Sequence, residues 1–293
     1  MRVTEVWKSK ATPTVSFEVY PARTPKAAAN FEKALDKLVE LEPDFFSVTF
    51  GAGGSTREGS RELVRKLRQE KHQDVLTYVA CFGLSPQELE EVIEDYRSLG
   101  VQSVLTVRGD EPRDQEGFSP HPDSFAHASD FLRFAKSRFD SCIGAACYPE
   151  GHIEAESRET DLEYLKQKVD LGAEFLIANY FYDNRFFFDF KDRCVAKGIE
   201  VPILPGVMPI FSIKMMETLA QLCGATIPDE LRDGLAGLPE GDKDALTSFG
   251  VDYAVGQCRG LLKAGVPGLH IYTMDRSTSA SRLLGRLRDD GLI

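Results

Sequence analysis

The sequence has few cysteines and no long apolar run. Its six cysteines are scattered without a C-x-x-C pair, which argues against a disulfide framework or a zinc site, and no metal is expected. The amino terminus lacks the apolar core of a secretory signal, and the longest uncharged stretch, near residues 201–213, is too short to cross a bilayer. A reduced cytoplasm, with no membrane partner, is therefore the expected setting.

Positive charge is scarce as well. Lys and Arg number 35 against 46 Asp and Glu, which gives a net charge of −11 at pH 7. Because nonspecific binding to nucleic acid needs a positive surface, this balance argues against a nucleic-acid partner. The 293 residues contain no linker or low-complexity tract, and their number is close to that of a single α/β barrel. We expect one catalytic domain over 1–293.

Eight short apolar runs rich in β-forming residues recur along the chain, about 30 residues apart, the length of one strand, one helix and two loops. The runs are 15–20, 45–50, 76–82, 103–109, 143–149, 175–181, 202–208 and 268–273. Amphipathic stretches lie between them, such as 25–41, 86–99 and 160–171. Eight alternating units favour closure over an open sheet, and the predicted fold is an α/β (β/α)8 TIM barrel.

Helix boundaries agree with this pattern. Ser85 and Glu88 form a predicted capping box around Pro86, and Thr24 with Pro25 forms a weaker start. Glycines that predict left-handed helix ends precede four of the runs: Gly100, Gly172, Gly198 and Gly265. The last interval is about twice as long as the others, and its segments 229–235 and 243–264 predict extra helices before the last strand.

Most of the runs end in polar or charged residues that a buried strand does not need. These residues are Glu18, Thr49, Arg108, Asp110, Tyr148, Asn179 and Arg276. In a (β/α)8 barrel the carboxyl ends of the strands meet at one rim, where active sites are built. The pattern therefore predicts the place of the site together with the fold.

Glu18 and the triplet Arg108-Gly109-Asp110 are the clearest candidates for functional roles. A carboxyl group among apolar neighbours loses hydration, which favours its protonated form and suits Glu18 to proton donation. The alternative for Glu18 is a solvent-facing strand residue paired with a lysine. On the rim, Arg108 is suited to hold a phosphate and Asp110 to accept hydrogen bonds from a heterocyclic N–H. The alternative for the triplet is a plain surface turn with a weak ion pair.

Three further features are weaker. The glycine-rich segment 51–56 is suited to wrapping a ligand with backbone N–H groups, but it fits no dinucleotide motif, and a flexible rim loop is an equal interpretation. The aromatic run 180–188 is expected to pack between a strand and its helix, and stacking of some of its rings on a flat ligand is the alternative. His152 and His270 lack the companions of a metal site and are expected to be ordinary hydrogen-bonded histidines.

These segments, in this order, resemble the methylenetetrahydrofolate reductase family of flavoenzymes. The matching segments are SFEVYPART, SVTFGAGGSTRE, VRGDEP, AACYPEGHIEA, the helix 161–168, LPGVMPI and PGLHIYTMDR. The resemblance implies a (β/α)8 barrel with FAD at the strand carboxyl ends. It implies that hydride passes from NADH or NADPH to FAD and, after the nicotinamide leaves, to 5,10-methylenetetrahydrofolate, giving 5-methyltetrahydrofolate by a ping-pong route. It identifies no preference between NADH and NADPH, and it makes a homo-oligomer a family-level expectation.

The resemblance also implies roles for individual residues. Glu18 matches the general acid that opens the methylene bridge, and Asp110 matches an aspartate near flavin and pterin; both are the implied catalytic residues. The implied FAD contacts are Thr49, Tyr78, Arg108, Gly109, Asp110, His127, Ala146, Tyr148, His152, Asp161 and Lys168. The implied folate contacts are Glu18, Asp110, Asn179, Tyr272 and Arg276.

Several positions depart from the family pattern. Tyr78 stands in place of a histidine, His127 in place of a tyrosine, and Asn179 in place of a glutamine. Other departures are Tyr164 and Gln167, which replace polar and basic flavin contacts, and Ile213, which replaces an aromatic residue. Two alternatives therefore stay open: a flavin-independent reductase of the same fold, and a folate- or flavin-binding subunit that receives electrons through a partner chain.

Overall fold

A computed structural model of the chain describes residues 1–22, 24–51, 57–111 and 117–293. Eight parallel strands pair in sequence order and close into a barrel, as predicted. The strands are β1 (Thr14–Val19), β2 (Phe45–Val48), β3 (Val75–Ala80), β4 (Ser103–Val107), β5 (Cys142–Cys147), β6 (Phe175–Tyr180), β7 (Ile203–Val207) and β8 (Gly268–Tyr272). The ring closes where β1 pairs with β8, with Glu18 opposite Tyr272.

Helices surround the barrel and alternate with the strands. They are α1 (Val3–Ser9), α2 (Pro25–Val39), α3 (Arg57–Arg65), α4 (Pro86–Ser98), α5 (Ala128–Arg138), α6 (Arg158–Asp170), α7 (Asn184–Ala196), α8 (Ile213–Cys223), α9 (Asp229–Ala236), α10 (Lys243–Lys263) and α11 (Ser277–Asp289). The capping box of Ser85 and Glu88 is present, and the side chain of Thr24 caps α2. The four glycines predicted to end helices all have positive φ angles, from 74° to 107°.

Side chains alternate between the two faces of the strands. Outward residues such as Phe17, Val79 and Leu176 pack under the helices in the main core. Inward residues such as Phe45, Leu105 and Phe175 fill the lower barrel. Because both faces are covered, the strands are apolar almost throughout, and this is why they are recognisable in the sequence.

The helix α1 was not predicted. It packs against the amino-terminal end of the barrel, where the Trp7 ring meets the Phe175 ring edge-on at 5.8 Å and its Nε1 donates to Thr14 Oγ1 at 2.8 Å. The backbone N–H of Val3 donates to Ser103 Oγ at 3.0 Å. The seven-residue helix has no side-chain cap, so the sequence carries little local signal for it.

The long connection between β7 and β8 contains α8, α9 and α10. The predicted extra helices 229–235 and 243–264 are α9 and α10, whereas α8 was not predicted. All three contribute to a separate hydrophobic cluster beside the carboxyl ends of β6 and β7, which includes Met208, Met216 and Leu231. In the part of the chain that the structure describes, no helix is long and apolar enough to span a bilayer.

Candidate active site at the carboxyl ends of the strands

A cavity of about 240 Å³ lies at the end of the barrel where the strands finish. Among its lining residues are side chains from six strands or from the residues just after them: Glu18, Tyr20, Thr49, Tyr78, Ala146, Tyr148, Asn179, Tyr180 and Tyr272. Met208, Leu219 and Met274 complete one wall. The predicted site residues Glu18, Thr49, Tyr148 and Asn179 therefore do meet around one space, as the barrel pattern required.

Glu18 is the carboxylic acid of this cavity. It is 2% exposed, and its side chain points into the barrel from β1. Its Oε1 accepts a hydrogen bond from the Tyr20 hydroxyl, and its Oε2 lies 3.8 Å from His270 Nε2. The predicted alternative, a solvent-facing carboxylate paired with a lysine, is wrong.

A buried hydrogen-bond network lies beneath Glu18. His270 is fully buried, with Nδ1 2.7 Å from Ser16 Oγ and Nε2 3.2 Å from the Tyr78 hydroxyl. Ser16 Oγ also lies 3.3 Å from the Leu269 carbonyl oxygen, and Ser47 Oγ lies 3.3 Å from Nε2 of His270. The expectation that His270 is a hydrogen-bonded histidine is confirmed, and Tyr78 belongs to this network as well as to the cavity wall.

Tyrosine hydroxyls dominate the polar lining. Burial raises the pKa of Tyr20, Tyr78 and Tyr272 well above the ordinary tyrosine value, and the charge of Glu18 adds to the rise in each case. Burial also raises the pKa of Tyr148. These hydroxyls therefore stay protonated at neutral pH and are able to donate hydrogen bonds.

The Tyr272 ring packs against a glycine. A Cβ at Gly206 would lie 2.4 Å from the Tyr272 ring and 2.3 Å from the Ala178 carbonyl oxygen, so only glycine fits there. The Tyr272 hydroxyl donates to that same carbonyl at 3.3 Å. Asn179 lines the cavity nearby, and its Oδ1 accepts from the backbone N–H of Tyr180 at 2.9 Å. Its side-chain NH2 group is therefore the part available to a ligand.

Arg276 and Asp275 follow β8 at the rim. The exposed Arg276 guanidinium lies 4.4 Å above the centre of the Phe211 ring, a cation–π contact between the loops after β7 and β8. Met274 and Asp275 both have left-handed backbones, with φ of 48° and 57°. Burial raises the pKa of Asp275 to about 6, while the hydrogen bond that its Oδ1 accepts from the Tyr20 N–H opposes the rise.

The Arg108-Gly109-Asp110 triplet lies after β4. Arg108 pairs with Glu154 at 2.7 Å, and a hydrogen bond from its guanidinium to that carboxylate raises the pKa of Arg108. Gly109 has a φ of 80°, and a Cβ there would lie 2.7 Å from the Cβ of Ala80. Asp110 is exposed and does not line the cavity, although its charge contributes to the raised pKa of Tyr148.

Lys168 on α6 reaches back under β5. Its Nζ donates to the Ala146 carbonyl at 3.0 Å, and burial lowers the pKa of its ammonium group while the charge of Asp161 opposes that effect. Burial in turn raises the pKa of Asp161. The charges of Lys168 and Asp161 therefore influence each other near Ala146, a residue of the cavity wall.

The other predicted contacts are spread around the same side. The Tyr148 and His152 rings meet edge-on at 4.6 Å, so His152 supports the cavity wall. His127 is exposed at the start of α5 and makes no side-chain cap. Residues 52–56 of the glycine-rich segment lie outside the described residues. The expected packing role of the aromatic run is confirmed by Phe181 and Phe187, which stack at 5.3 Å.

The predicted residues thus divide the rim into two arcs. The predicted cofactor contacts lie on one arc, formed by β2 to β5 together with α5 and α6. Apart from Asp110, the predicted substrate contacts lie on the other, formed by β6, β8 and β1. Residues from both arcs line the cavity.

Sequence reasoning did not assign eight of the residues that line the cavity: Tyr20, Leu105, Val107, Ile177, Tyr180, Met208, Leu219 and Met274. Tyr20 was recoverable, because residues two apart on a strand face the same side and Glu18 was already assigned inward. Leu219 was not, because α8 was not predicted and its approach to the cavity depends on how it packs over β6 and β7.

Comparison with known proteins agrees with this geometry. The family model described as "Methylenetetrahydrofolate reductase" matches residues 2–288. The chain belongs to the methylenetetrahydrofolate reductase family. Methylenetetrahydrofolate reductase (NADH) 1 of Arabidopsis thaliana is 35% identical over 289 residues, covering 95% of this chain and 48% of that protein. The chain thus spans about half the length of such plant relatives.

A bacterial member of the methylenetetrahydrofolate reductase family matches over most of both chains. The 5,10-methylenetetrahydrofolate reductase of Escherichia coli (strain K12) is 32% identical, covering 90% of this chain and 86% of that protein. Among solved structures, a protein from Clostridium thermocellum, described as binding two copies of 5-methyl-5,6,7,8-tetrahydrofolic acid, superposes with a TM-score of 0.62. It is 15% identical and covers 98% of both chains, so this likeness shows a shared fold.

Proposed function

We propose that this chain reduces 5,10-methylenetetrahydrofolate to 5-methyltetrahydrofolate with electrons from NADH or NADPH, and that residues 1–293 act as a single catalytic domain in the cytoplasm. Family membership supports the reaction class. The observation that carries the proposal is the buried Glu18 carboxyl group at the base of a hydroxyl-lined cavity, on the arc opposite Arg108 and Lys168.

Glu18 has the environment of a general acid. Opening the methylene bridge requires a proton on one bridging nitrogen, so that its bond to the one-carbon unit breaks while the other nitrogen forms an iminium. The Glu18 carboxyl group is 2% exposed and lines the cavity, so a ligand bound there would be within its reach while bulk water is largely excluded. Tyr272 and the amide of Asn179 line the same space and are placed to orient the folate rings.

The donor set on the β2–β5 arc fits FAD. Under this proposal Arg108 and Lys168 would hold the diphosphate, with Arg108 exchanging its Glu154 partner for a phosphate, and the Lys168 ammonium has the Ala146 carbonyl as its hydrogen-bond partner. Gly109 is required by the packing of this turn, since a Cβ there would overlap Ala80. When bound, FAD supplies a centre that accepts and donates hydride. The relatives named as NADH-dependent support a nicotinamide as the electron source.

An absorbance spectrum of the purified protein tests whether the chain binds FAD. We expect a yellow protein, or one that becomes yellow on incubation with FAD, and oxidation of NADH in the presence of a quinone acceptor. A colourless protein that takes up no FAD contradicts this part of the proposal.

A flavin-independent reductase is the second candidate. The observation that favours it is the Arg108–Glu154 ion pair, because a phosphate group would have to displace Glu154 from the guanidinium. Under this alternative, folate reduction by NADH or NADPH proceeds without flavin and does not change when FAD is added.

The substitution Glu18→Gln tests the proposed role of Glu18 as the general acid. We expect quinone-coupled NADH oxidation to stay within about twofold of wild type and folate reduction to fall at least about 100-fold, the scale of general acid catalysis. Glu240→Gln, an exposed loop position, is the matched control and should leave both activities unchanged. Equal loss of the two activities in Glu18→Gln contradicts the assigned role.

A further inference from the structure

Glu18 has a hydrogen-bond partner on its own strand. Tyr20 lies two residues further along, just past the end of β1, so its side chain points to the same face of the barrel. Its hydroxyl donates to Glu18 Oε1, and its backbone N–H donates to Asp275 Oδ1 at 3.2 Å, which ties Tyr20 to the loop after β8. Both ends of Tyr20 are therefore held in place.

The contact restricts how the carboxyl group of Glu18 is oriented. Oε1 is held by Tyr20, whereas Oε2 is the oxygen near His270, at 3.8 Å. The Tyr20 hydroxyl stays protonated at neutral pH, because burial and the charge of Glu18 raise its pKa well above the ordinary value. It therefore donates to Glu18 when the acid is ionised.

Other titratable groups also face Glu18 and interact electrostatically with its carboxyl group. They come from β1, β3, β6, β8 and the loop after β8, and they are Tyr20, Tyr78, Tyr180, His270, Tyr272 and Asp275. The Tyr20 hydroxyl donates to Oε1, and Tyr78 is a further hydrogen-bond partner of Glu18 whose hydroxyl also contacts His270 Nε2. Tyr20 is thus the group whose removal changes the carboxyl group of Glu18 with least effect on the network around His270.

We propose that Tyr20 is a positioning residue for Glu18: its hydroxyl fixes the orientation of the carboxyl group and donates a hydrogen bond to its ionised form. This inference rests on the proposed function, in which Glu18 is the acid of folate reduction. A hydroxyl that donates to the ionised carboxylate stabilises the ionised form, so its removal moves the titration of Glu18 to higher pH.

The first experiment needs no substrate. The infrared carboxyl band that is absent in Glu18→Gln belongs to Glu18 and is thereby separated from that of Asp275. In Tyr20→Phe we expect this band to shift in frequency and its titration midpoint to rise by about one pH unit or more. Difluorotyrosine at position 20, a stronger hydrogen-bond donor, should move the midpoint in the opposite direction. Unchanged bands and midpoints in both variants overturn the proposal.

The second experiment is kinetic. In Tyr20→Phe we expect the kcat of folate reduction to fall about tenfold, with its pH profile displaced in the same direction as the infrared midpoint, and quinone-coupled NADH oxidation to be retained. Tyr182→Phe removes a buried hydroxyl that has no hydrogen-bond partner among the residues the structure describes, and it is the matched control. A Tyr20→Phe enzyme with the rate and pH profile of wild type overturns the proposal. If wild type reduces no folate, the proposed function fails, and the infrared comparison still decides the role of Tyr20 toward Glu18.

Discussion

Asp275 offers a direct test of the electrostatics at the rim. It is a partly buried carboxyl group whose pKa is raised from 3.8 to about 6, mainly by burial. We consider Asp275→Asn, which keeps an oxygen to accept the Tyr20 N–H and removes the charge. Asparagine also tolerates the left-handed backbone found at this position, where φ is 57°.

The sign of the effect follows from the raised pKa. Below pH 3.8 the carboxyl group is protonated in both folded and unfolded chains and has no electrostatic effect on stability. As the pH rises from there to about 6, the unfolded chain loses its proton first, so wild type loses stability. A shift of this size corresponds to about 3 kcal/mol at full burial, and partial solvent exposure reduces it to about 1.5 kcal/mol.

Urea unfolding of both proteins between about pH 4 and pH 8 measures this difference. We expect Asp275→Asn to match wild type within about 0.5 kcal/mol at the acid end and to exceed its free energy of unfolding by about 1.5 kcal/mol above pH 7. Asp123→Asn, at an exposed loop carboxylate, is the control and should show no such trend. A difference between Asp275→Asn and wild type that does not vary with pH refutes the reasoning.

Two further substitutions test the geometry of the cavity wall. Gly206→Ala should lower the free energy of unfolding by about 3 kcal/mol or more in urea unfolding, because the new Cβ would overlap the Tyr272 ring and the Ala178 carbonyl; a loss under about 0.5 kcal/mol contradicts this packing. Phe211→Leu should raise the KM for the folate about two- to fivefold with little change in kcat, because the Arg276 guanidinium loses its aromatic support; steady-state kinetics with an unchanged KM contradicts that role.

Local patterns were sufficient for most of the fold. The apolar runs, the capping box at Ser85 and the glycines that end helices are short-range signals, and each has its predicted structure. The helices α1 and α8 escaped prediction because their positions depend on surfaces made by distant parts of the chain. For α1 that surface is the barrel floor around Phe175, which exists only after the ring has closed.

By itself, the sequence determined that the chain forms a ring of eight βα units, and that Glu18 lies on a strand that ends at the rim. Only the tertiary structure decided which polar groups meet. It places His270 under Glu18 and Tyr20 against its Oε1, and it leaves Asp110 exposed outside the cavity. The reason is physical: periodicity assigns each side chain to a face, but contacts across the barrel depend on strand register and closure, which bring β1 beside β8 from opposite ends of the chain.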